Sequence, residues 1–365
     1  MRAVHPHLPH PGHGPVFQGY RFDPSVNSPT AIAMSGGIDS LVAAHVLKRQ
    51  GHDLVGIHFT TGFESEAVDL SSIEDQLDIK IHQMDLSAEF NRAVVDYFVK
   101  TYARGKTPNP CVVCNRTIKF GVLAQRAKTL GAEKIATGHY AGTRTRSNGG
   151  IALVKGVDGV KDQSYFLAML SQEQLKQAVF PLGRMTKEQV RNIARDNRLM
   201  PVEEKESQDI CFIKAPGFSG FVAARLSTPP SPGDIVLTDG TVVGRHRGLH
   251  RYTIGQRRGL NSPGPEPYYV KTIDMENNLL VVGGKKELYT IKVAVGDLNW
   301  ITPPLASSLK VTTKIRYSHK GAASTLSIEN DRTTLVFDAP QLAVTPGQVA
   351  VFYRDEEVLG AGIIQ

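Results

Sequence analysis

The chain has 365 residues, enough for two or three domains and a large buried core, and its 41% hydrophobic and 21% charged residues are those of a soluble globular protein. No apolar run is long enough to span a bilayer, so no membrane partner is expected, and three cysteines exclude a disulfide scaffold and suit a reducing cytoplasm. A formal net charge of +7 admits an anionic partner such as nucleic acid.

Residues 1–28 are rich in His, Pro and Gly and lack an apolar signal core, which predicts a disordered or loosely attached extension. Thr30-Ala-Ile-Ala then reads as a strand, Ala33-Met-Ser-Gly-Gly-Ile-Asp-Ser40 as a tight loop, and Leu41 to Leu47 as a helix. Gly36 and Gly37 let the backbone approach a ligand. Ser35, Asp39 and Ser40 add polar groups where a helix N-terminus favours an anion, so a phosphate or pyrophosphate fits. The spacing matches neither the Walker loop nor the dinucleotide fingerprint, and a Gly-rich turn without ligand remains the plain alternative.

Asp53 to Phe59 and Ile79 to Met84 read as further strands, followed by a helix with Phe90, Val94, Tyr97 and Phe98 on one face. Pro108 and Pro110 predict a loop from Arg104 to Arg116, and a helix carrying Phe120, Leu123, Ala124, Ala127 and Leu130 follows, ending at Gly131. With the strand Lys134 to Thr137, this alternation predicts a parallel sheet covered on both faces. Ligands of such sheets lie outside the carboxyl ends of the strands, so the loop at Ser35 and the turn Thr137-Gly-His-Tyr140 should be neighbours. A hairpin is expected between Asn148 and Val160, then two helices opened by capping boxes at Ser171 to Gln174 and Thr186 to Gln189. From about Ala215 onward, short alternating runs between Gly, Pro and Asp-Gly turns predict two small β-barrel-like domains, divided between Gly284 and Thr290. The expected domains are therefore 29–215, 216–287 and 288–365.

The cysteines are grouped. Cys111 and Cys114 form a Cys-x-x-Cys beside Lys and Arg, where a thiol near a helix N-terminus becomes a better nucleophile or metal ligand, and Cys211 lies in the apolar stretch Asp209 to Ile213. Half of a zinc site, a redox or sulfur-carrying pair with Cys211, and an iron–sulfur cluster on all three thiols are the competing readings. Arg245 to Arg258 is dense in cations with Tyr252 among them, which suits a phosphate backbone with a stacked base or sugar; a solvated charged face is the alternative.

Together these stretches resemble the bacterial tRNA-specific 2-thiouridylases. The motifs that carry the resemblance are Met-Ser-Gly-Gly-Ile-Asp-Ser40, Thr107-Pro-Asn-Pro-Cys-Val-Val-Cys-Asn-Arg116, Ala-Thr-Gly-His-Tyr140, Lys-Asp-Gln-Ser-Tyr-Phe166, Glu206-Ser-Gln-Asp-Ile-Cys-Phe-Ile213, Tyr-Thr-Ile-Gly-Gln-Arg-Arg-Gly-Leu260, and Pro-Gly-Gln348 with Val-Phe-Tyr353. The resemblance implies an N-terminal α/β domain of the adenine nucleotide alpha hydrolase type with a pyrophosphate loop, followed by the two β domains. It implies ATP-dependent sulfur transfer to C2 of the wobble uridine of tRNA. ATP with Mg²⁺ would lie on Ala33, Met34, Ser35, Gly36, Gly37, Ile38, Asp39 and Ser40, with Phe59 and Gly138 near the adenosine. Asn109, Pro110 and Cys111 would hold the target base. Further tRNA contacts would come from His139, from Lys161, Asp162 and Gln163, from Arg316 and Tyr317, and from Gln348. Cys211 resembles the persulfide carrier, charged by a sulfur-delivery protein such as a cysteine desulfurase or a relay protein, and Cys114 the thiol that attacks it or closes a disulfide with it.

The family varies at the position of Cys111, where some members carry Asp, so Cys111 is not expected to be the obligatory nucleophile. With Cys present, Cys111, Cys114 and Cys211 could instead hold a [4Fe–4S] cluster. The stretch from Thr60 to Leu77 is shorter than the family pattern. Other classes that pair this loop with cysteines are pyrophosphate-loop amidating synthetases and deazaguanine nitrile synthases, and a non-catalytic zinc-binding RNA protein is a third. The two enzyme classes need neither the Cys211 motif nor a basic β half, and the intact Ser-Gly-Gly-Ile-Asp-Ser40 loop argues against the third.

Overall fold

Small and β-branched residues suit Thr30–Ala33 (β1) to the middle of a sheet. In the computed structural model β1 pairs in parallel with Leu54–Thr60 (β2) on one side and Lys134–Ala136 (β4) on the other. Ile81–Asp85 (β3) and the two-residue strand Ala178–Val179 (β7) complete the all-parallel order β3-β2-β1-β4-β7. The structure describes residues 29–203, 210–214, 217–260, 262, 264, 266–329 and 332–365. The expected N-terminal extension and residues 206–209 of the Cys211 motif lie outside the described residues.

One face of the sheet is covered by Ile38–Arg49 (α1), which buries Leu41, Val42, Ala44 and Leu47 against Ile73 and Leu77 of Ser71–Leu77 (α2) and Val190 and Ala194 of Lys187–Asp196 (α9). The other face carries two helical rods. The first runs from Ser87–Phe90 (α3) through a π-helical stretch, Asn91–Val95, into Asp96–Tyr102 (α4). The second runs from Pro110–Cys114 (α5) through the π-helical Asn115–Leu123 into Ala124–Thr129 (α6). The loop expected as far as Arg116 therefore ends seven residues earlier, at Asn109. Proline at the first helical position has the right φ and lacks only an N–H that the first turn leaves unpaired anyway, and Asn109 Oδ1 caps the helix by accepting from Val112 N at 3.3 Å.

The expected hairpin is present but several residues earlier, as Ala141–Thr145 (β5) and Ile151–Lys155 (β6). After it come Ser164–Leu167 (α7) and Gln172–Gln177 (α8), and the capping boxes of α8 and α9 both form, Ser171 Oγ and Thr186 Oγ1 each accepting from the third helical N–H at 3.2 Å.

Phe218–Ala223 (α10) leads into Gly233–Val236 (β8), Val242–His246 (β9), Tyr269–Asp274 (β10) and Leu279–Gly283 (β11), ordered β10-β11-β8-β9. Tyr252 belongs to the core of this unit with Ile235, Leu249 and Val270, so it offers no stacking face among the surrounding arginines. His246 and His250 are buried as well, whereas Arg245, Arg247, Arg251, Arg257 and Arg258 are exposed. Burial of the aromatic corrects the reading of this run as cations interleaved with a base-stacking ring.

A single turn, Lys285–Leu288, separates that sheet from the last one. Tyr289–Trp300 (β12), Ser308–Lys314 (β13), Ala322–Glu329 (β14), Arg332–Leu342 (β15), Val349–Arg354 (β16) and Glu357–Ile364 (β17) close into a barrel in the order β12-β15-β14-β13-β16-β17, with β17 returning to β12. The hairpin β5-β6 joins this sheet through β17, with Glu357 opposite Val154 and Val358 opposite Leu153. Glu357 ties the junction, accepting from Arg144 at 3.0 Å, from Thr302 Oγ1 at 3.2 Å and from Arg146. Its side chain is 19% exposed and that of Arg146 21%, so the pair keeps part of its strength against solvent screening. Glu357→Ala should lower stability by about 2 kcal/mol, seen as an earlier urea midpoint at unchanged slope; an unchanged midpoint would mean that the junction does not need this carboxylate.

Candidate active site

The strand order reverses beside β1, so the loop that leaves β1 and the turn that leaves β4 open side by side. They touch: a Cβ on Gly138 would lie 2.9 Å from the carbonyl carbon of Asp39 and 3.0 Å from Ser40 N. The loop is a cup of hydroxyls and backbone donors. Ser35 Oγ and Ser40 Oγ are 3.2 Å apart, Ser35 N donates to Ser40 Oγ at 3.2 Å, Gly37 N to Ser35 Oγ at 3.4 Å, and Ser40 Oγ to Gly37 O at 2.9 Å. Gly36 has φ +84°, the left-handed region that only glycine enters cheaply, and its carbonyl accepts from Val202 N and Glu203 N at 3.0 Å. Ala33, Met34 and Ile38 are the apolar frame of the cup, and Phe59, at the end of β2, packs on the sheet core.

At the floor of the cup lies a residue that the capping-box reading of Thr186 to Gln189 passed over. Lys187 is 6% exposed, and its Nζ donates to Asp39 Oδ1 at 2.7 Å. Tyr140 Oη donates to the same oxygen at 2.7 Å, and Lys187 N donates to Asp158 Oδ2 at 2.9 Å. A buried ammonium needs such a partner. It also stands ready to meet the charge of a polyphosphate.

The turn after β4 continues towards the thiols. His139 is buried between the rings of Phe120 and Phe180, with Nδ1 2.7 Å from Thr137 Oγ1. Burial, helped by the Lys119 ammonium, holds its pKa well below the ordinary range, so the ring is neutral. Lys119 also acts on Cys111, Cys114 and Cys211, which places one cation within electrostatic reach of all three sulfurs. The π-helical stretch explains the approach. In an α-helix residues five apart differ by about 140° around the axis, and the wider i→i+5 turn brings Lys119 closer to the side of the rod that carries Cys114. The widened turn is stapled from outside by Gln174 Nε2, which donates to Arg116 O at 2.7 Å and Phe120 O at 3.0 Å.

Cys211 arrives from the other side. Its neighbour Phe212 is buried in an aromatic cluster, with ring centroids 5.2 to 5.7 Å from those of Phe63, Phe90, Phe98 and Phe221. Anchoring Phe212 leaves Cys211 exposed, while Ile210 and Ile213 pack with Cys114 on the same core. Cys111 is exposed and Cys114 half-buried. All three thiols nevertheless have raised pKa values, chiefly through desolvation and against the pull of Lys119, and Cys114 is pushed up to about 12. Thiols that reach solvent yet face protein on most sides line a recess. Glu64, whose carboxylate accepts from Thr61 N and Oγ1 at 2.8 Å and Gly62 N at 2.9 Å, adds a negative charge that opposes the Cys211 thiolate.

The remaining candidates gather along the seam between the catalytic sheet and the barrel. Tyr317 stacks on Phe166 with centroids 4.5 Å apart, Arg316 is exposed, and Lys161 is half-buried. Asp162 and Lys155 both act electrostatically on Lys314, and Lys314 and Lys155 are cations that the sequence reading did not single out. Asp162 is buried and engaged by Gly156 N, Ser164 N and Ser164 Oγ at 3.0 to 3.1 Å, and Gln163 is tied to Tyr140 through N and Oε1. Asn109 and Pro110 are buried at the start of α5, leaving Cys111 as the exposed member of that trio. Gln348 is occupied with the backbone of Thr107 and Pro108.

Among the described residues no three His, Cys, Asp or Glu side chains are grouped closely enough to hold a metal ion. A Mg²⁺ ion needs less from the protein, because it takes most of its oxygens from phosphates and water, and Asp39 supplies a carboxylate at the cup.

Three family models match consecutive parts of the chain: the tRNA methyl transferase HUP domain over residues 29–215, the tRNA methyl transferase PRC-barrel domain over 219–284, and the aminomethyltransferase beta-barrel domain over 290–364. Among curated relatives, the tRNA-specific 2-thiouridylase MnmA of Desulfosudis oleivorans is 48% identical over 93% of this chain and 96% of its own length. The proteins of the same name from Desulfotalea psychrophila and Trichlorobacter lovleyi are each 43% identical over 92% of this chain, and 98% and 97% of their own lengths.

Because raised pKa values keep the thiols protonated at neutral pH, alkylation of the ligand-free protein by iodoacetamide should be slow at pH 7 and accelerate as pH rises, with Cys114 the last to react. Lys119→Met should move all three profiles to higher pH, by the sign of the lost attraction. Peptide-resolved mass spectrometry reads this directly. Profiles that stay in place would remove Lys119 from the thiol site.

Proposed function

The chain belongs to the tRNA-specific 2-thiouridylase family and is a tRNA-uridine 2-sulfurtransferase, and on that premise we propose that it thiolates the wobble uridine by adenylating the base and delivering sulfur from a persulfide on Cys211. The observation that carries this reading is the adjacency of two sites at one switch point. A hydroxyl-lined cup with Asp39 and Lys187 suits ATP, and one turn away Lys119 faces three thiols.

The order of steps follows from the chemistry of uracil. Its C2 carbonyl is a weak electrophile and its oxygen cannot leave as it stands. The O2 oxygen therefore attacks the α-phosphorus of ATP, and pyrophosphate departs with its charge met by the cup's N–H groups and Lys187. Asp39 is the carboxylate that would hold Mg²⁺ at the cup, where the ion would neutralise phosphate charge beside Lys187. The terminal sulfur of the Cys211 persulfide then attacks C2 and AMP leaves. The Cys114 thiolate attacks Cys211 Sγ, the S–S bond breaks, and its electron pair stays on the sulfur attached to C2. The products are 2-thiouridine and a Cys114–Cys211 disulfide, which an external dithiol reduces by two electrons before a sulfur-delivery protein recharges Cys211. Lys119 favours each sulfur anion in turn. Cys111 lies beside the base without a covalent role, and no step requires a cluster.

The wobble base can enter because it sits in a single-stranded loop and can be splayed from its stack. Exposed Arg316, half-buried Lys161, Lys155 and Lys314, and the Tyr317 ring make the seam a suitable track for the anticodon stem-loop. Buried Asp162 and His139 and half-buried Gln163 shape that track from beneath, as groups already held by the protein.

Asp39→Ala should abolish both AMP formation and thiolation. Cys211→Ser should abolish thiolation while pyrophosphate release with tRNA persists. Thiolation that survives Cys211→Ser would sink the persulfide assignment. The same enzyme purified without oxygen, assayed for iron and supplied with a persulfide donor, should thiolate tRNA while iron-free; a requirement for about four irons per chain would replace the persulfide by a cluster.

A further inference from the structure

The segment that leads into Cys111 cannot brace itself. Pro108 and Pro110 carry no N–H, so Thr107 to Pro110 has only two backbone donors in four residues and lies between helical rods without a strand beside it. Its partners come from elsewhere. Asn109 N donates to Tyr97 Oη at 3.3 Å, and Thr107 N donates to Pro346 O of the barrel at 2.8 Å. Gln348 Nε2 donates to two successive carbonyls, Thr107 O at 3.2 Å and Pro108 O at 2.9 Å. Between these two barrel residues, Gly347 at φ +90° lies so close that a Cβ there would come within 2.7 Å of Thr107 O and 2.9 Å of Thr107 N. The turn 345–348 and the segment 107–110 are thus fitted backbone to backbone.

We propose that Gln348 is a positioning residue, whose amide clamps Thr107 and Pro108 so that α5 starts in the register that presents Cys111 and Cys114 to the recess. Family resemblance implies a tRNA contact for this glutamine. The geometry gives it different work, because an amide nitrogen has two hydrogens and both are directed at protein carbonyls. The barrel is then part of the catalytic site. It holds the cysteine segment in place in the absence of RNA, and the consequence for turnover rests on the thiouridylase reading above.

The test uses the full chain and two substitutions of nearly equal size. Gln348→Glu removes both donors and sets oxygen against oxygen, and Gln348→Met removes the polar head without adding charge. In the RNA-free protein, deuterium exchange of the amides from Cys111 to Arg116 should quicken about tenfold in both variants, with the amides of β1 and the barrel strands unchanged as the check on folding. With enzyme saturating over tRNA and ATP, the single-turnover thiolation rate should fall at least tenfold while the Kd for tRNA changes less than threefold. Unchanged exchange in that segment would overturn the clamp. So would a weakened Kd with the saturated rate intact, which is the signature of an RNA contact. Wild-type protein that fails to thiolate tRNA under these conditions would count against the functional reading, and the exchange result would still decide the clamp.

Discussion

Lys187 is buried and charged, so its place in the fold depends on meeting Asp39 and Tyr140 at one carboxylate oxygen. Desolvating an ammonium costs several kcal/mol unless a close anion and further hydrogen bonds offset it. Three separate parts of the chain satisfy that condition together: the loop after β1, the turn after β4 and the first turn of α9. The pair therefore works as a three-way latch on the switch point, and on the proposed function it is also the group that meets the polyphosphate. A site whose resting counter-ion is an aspartate rather than a bound anion has its cation oriented before substrate arrives, which lowers the reorganisation needed on binding.

The parallel sheet, the phosphate cup and the neighbouring turn were legible in the sequence because each has a local signal. Small and β-branched residues mark β1, Gly36 and Gly37 mark the loop, and strand-helix alternation dictates where the loops emerge. The capping boxes at Ser171 and Thr186 were legible for the same reason. What escaped depends on helix type and on distant partners. Pro110 reads as a helix breaker and is in fact a helix starter, since the two roles differ only in whether an Asn109 cap precedes it. Tyr252 reads as a ring among cations and is core, because its neighbours Leu249 and Leu260 turn inward with it. Lys187 and Lys119 sit in motifs whose visible purpose is something else, a helix cap and an amphipathic helix.

Lys119 illustrates the physical reason most sharply. With α-helical spacing its side chain would leave the side of the rod occupied by Cys114, and periodicity analysis assumes that spacing. The π-helical stretch holds because its widened turn has outside support: Gln174, already engaged as a cap of α8, reaches across to carbonyls of Arg116 and Phe120. One side chain thus links the start of α8 to the register of the cysteine helix. The raised pKa values of the thiols fit the same design. Desolvation keeps the sulfurs protonated and weakly nucleophilic even with the Lys119 ammonium in reach.

The hairpin β5-β6 explains why the barrel can take part in that control. By sequence it lies within the α/β unit, between the turn at Tyr140 and the seam residue Lys161, yet it hydrogen-bonds to β17 and extends the barrel's sheet. A hinge between the two units would have to break this ladder, the Glu357 junction and the Asn299 Nδ2 bonds to Ala168 O and Leu170 O at 3.0 Å. The units therefore meet along a continuous structure rather than across a linker, and charged side chains on both sides of the seam keep a fixed separation. On the thiolation mechanism proposed above, in which one base is drawn from its loop and set against two sulfurs, a fixed separation is an advantage, because the substrate then supplies the movement.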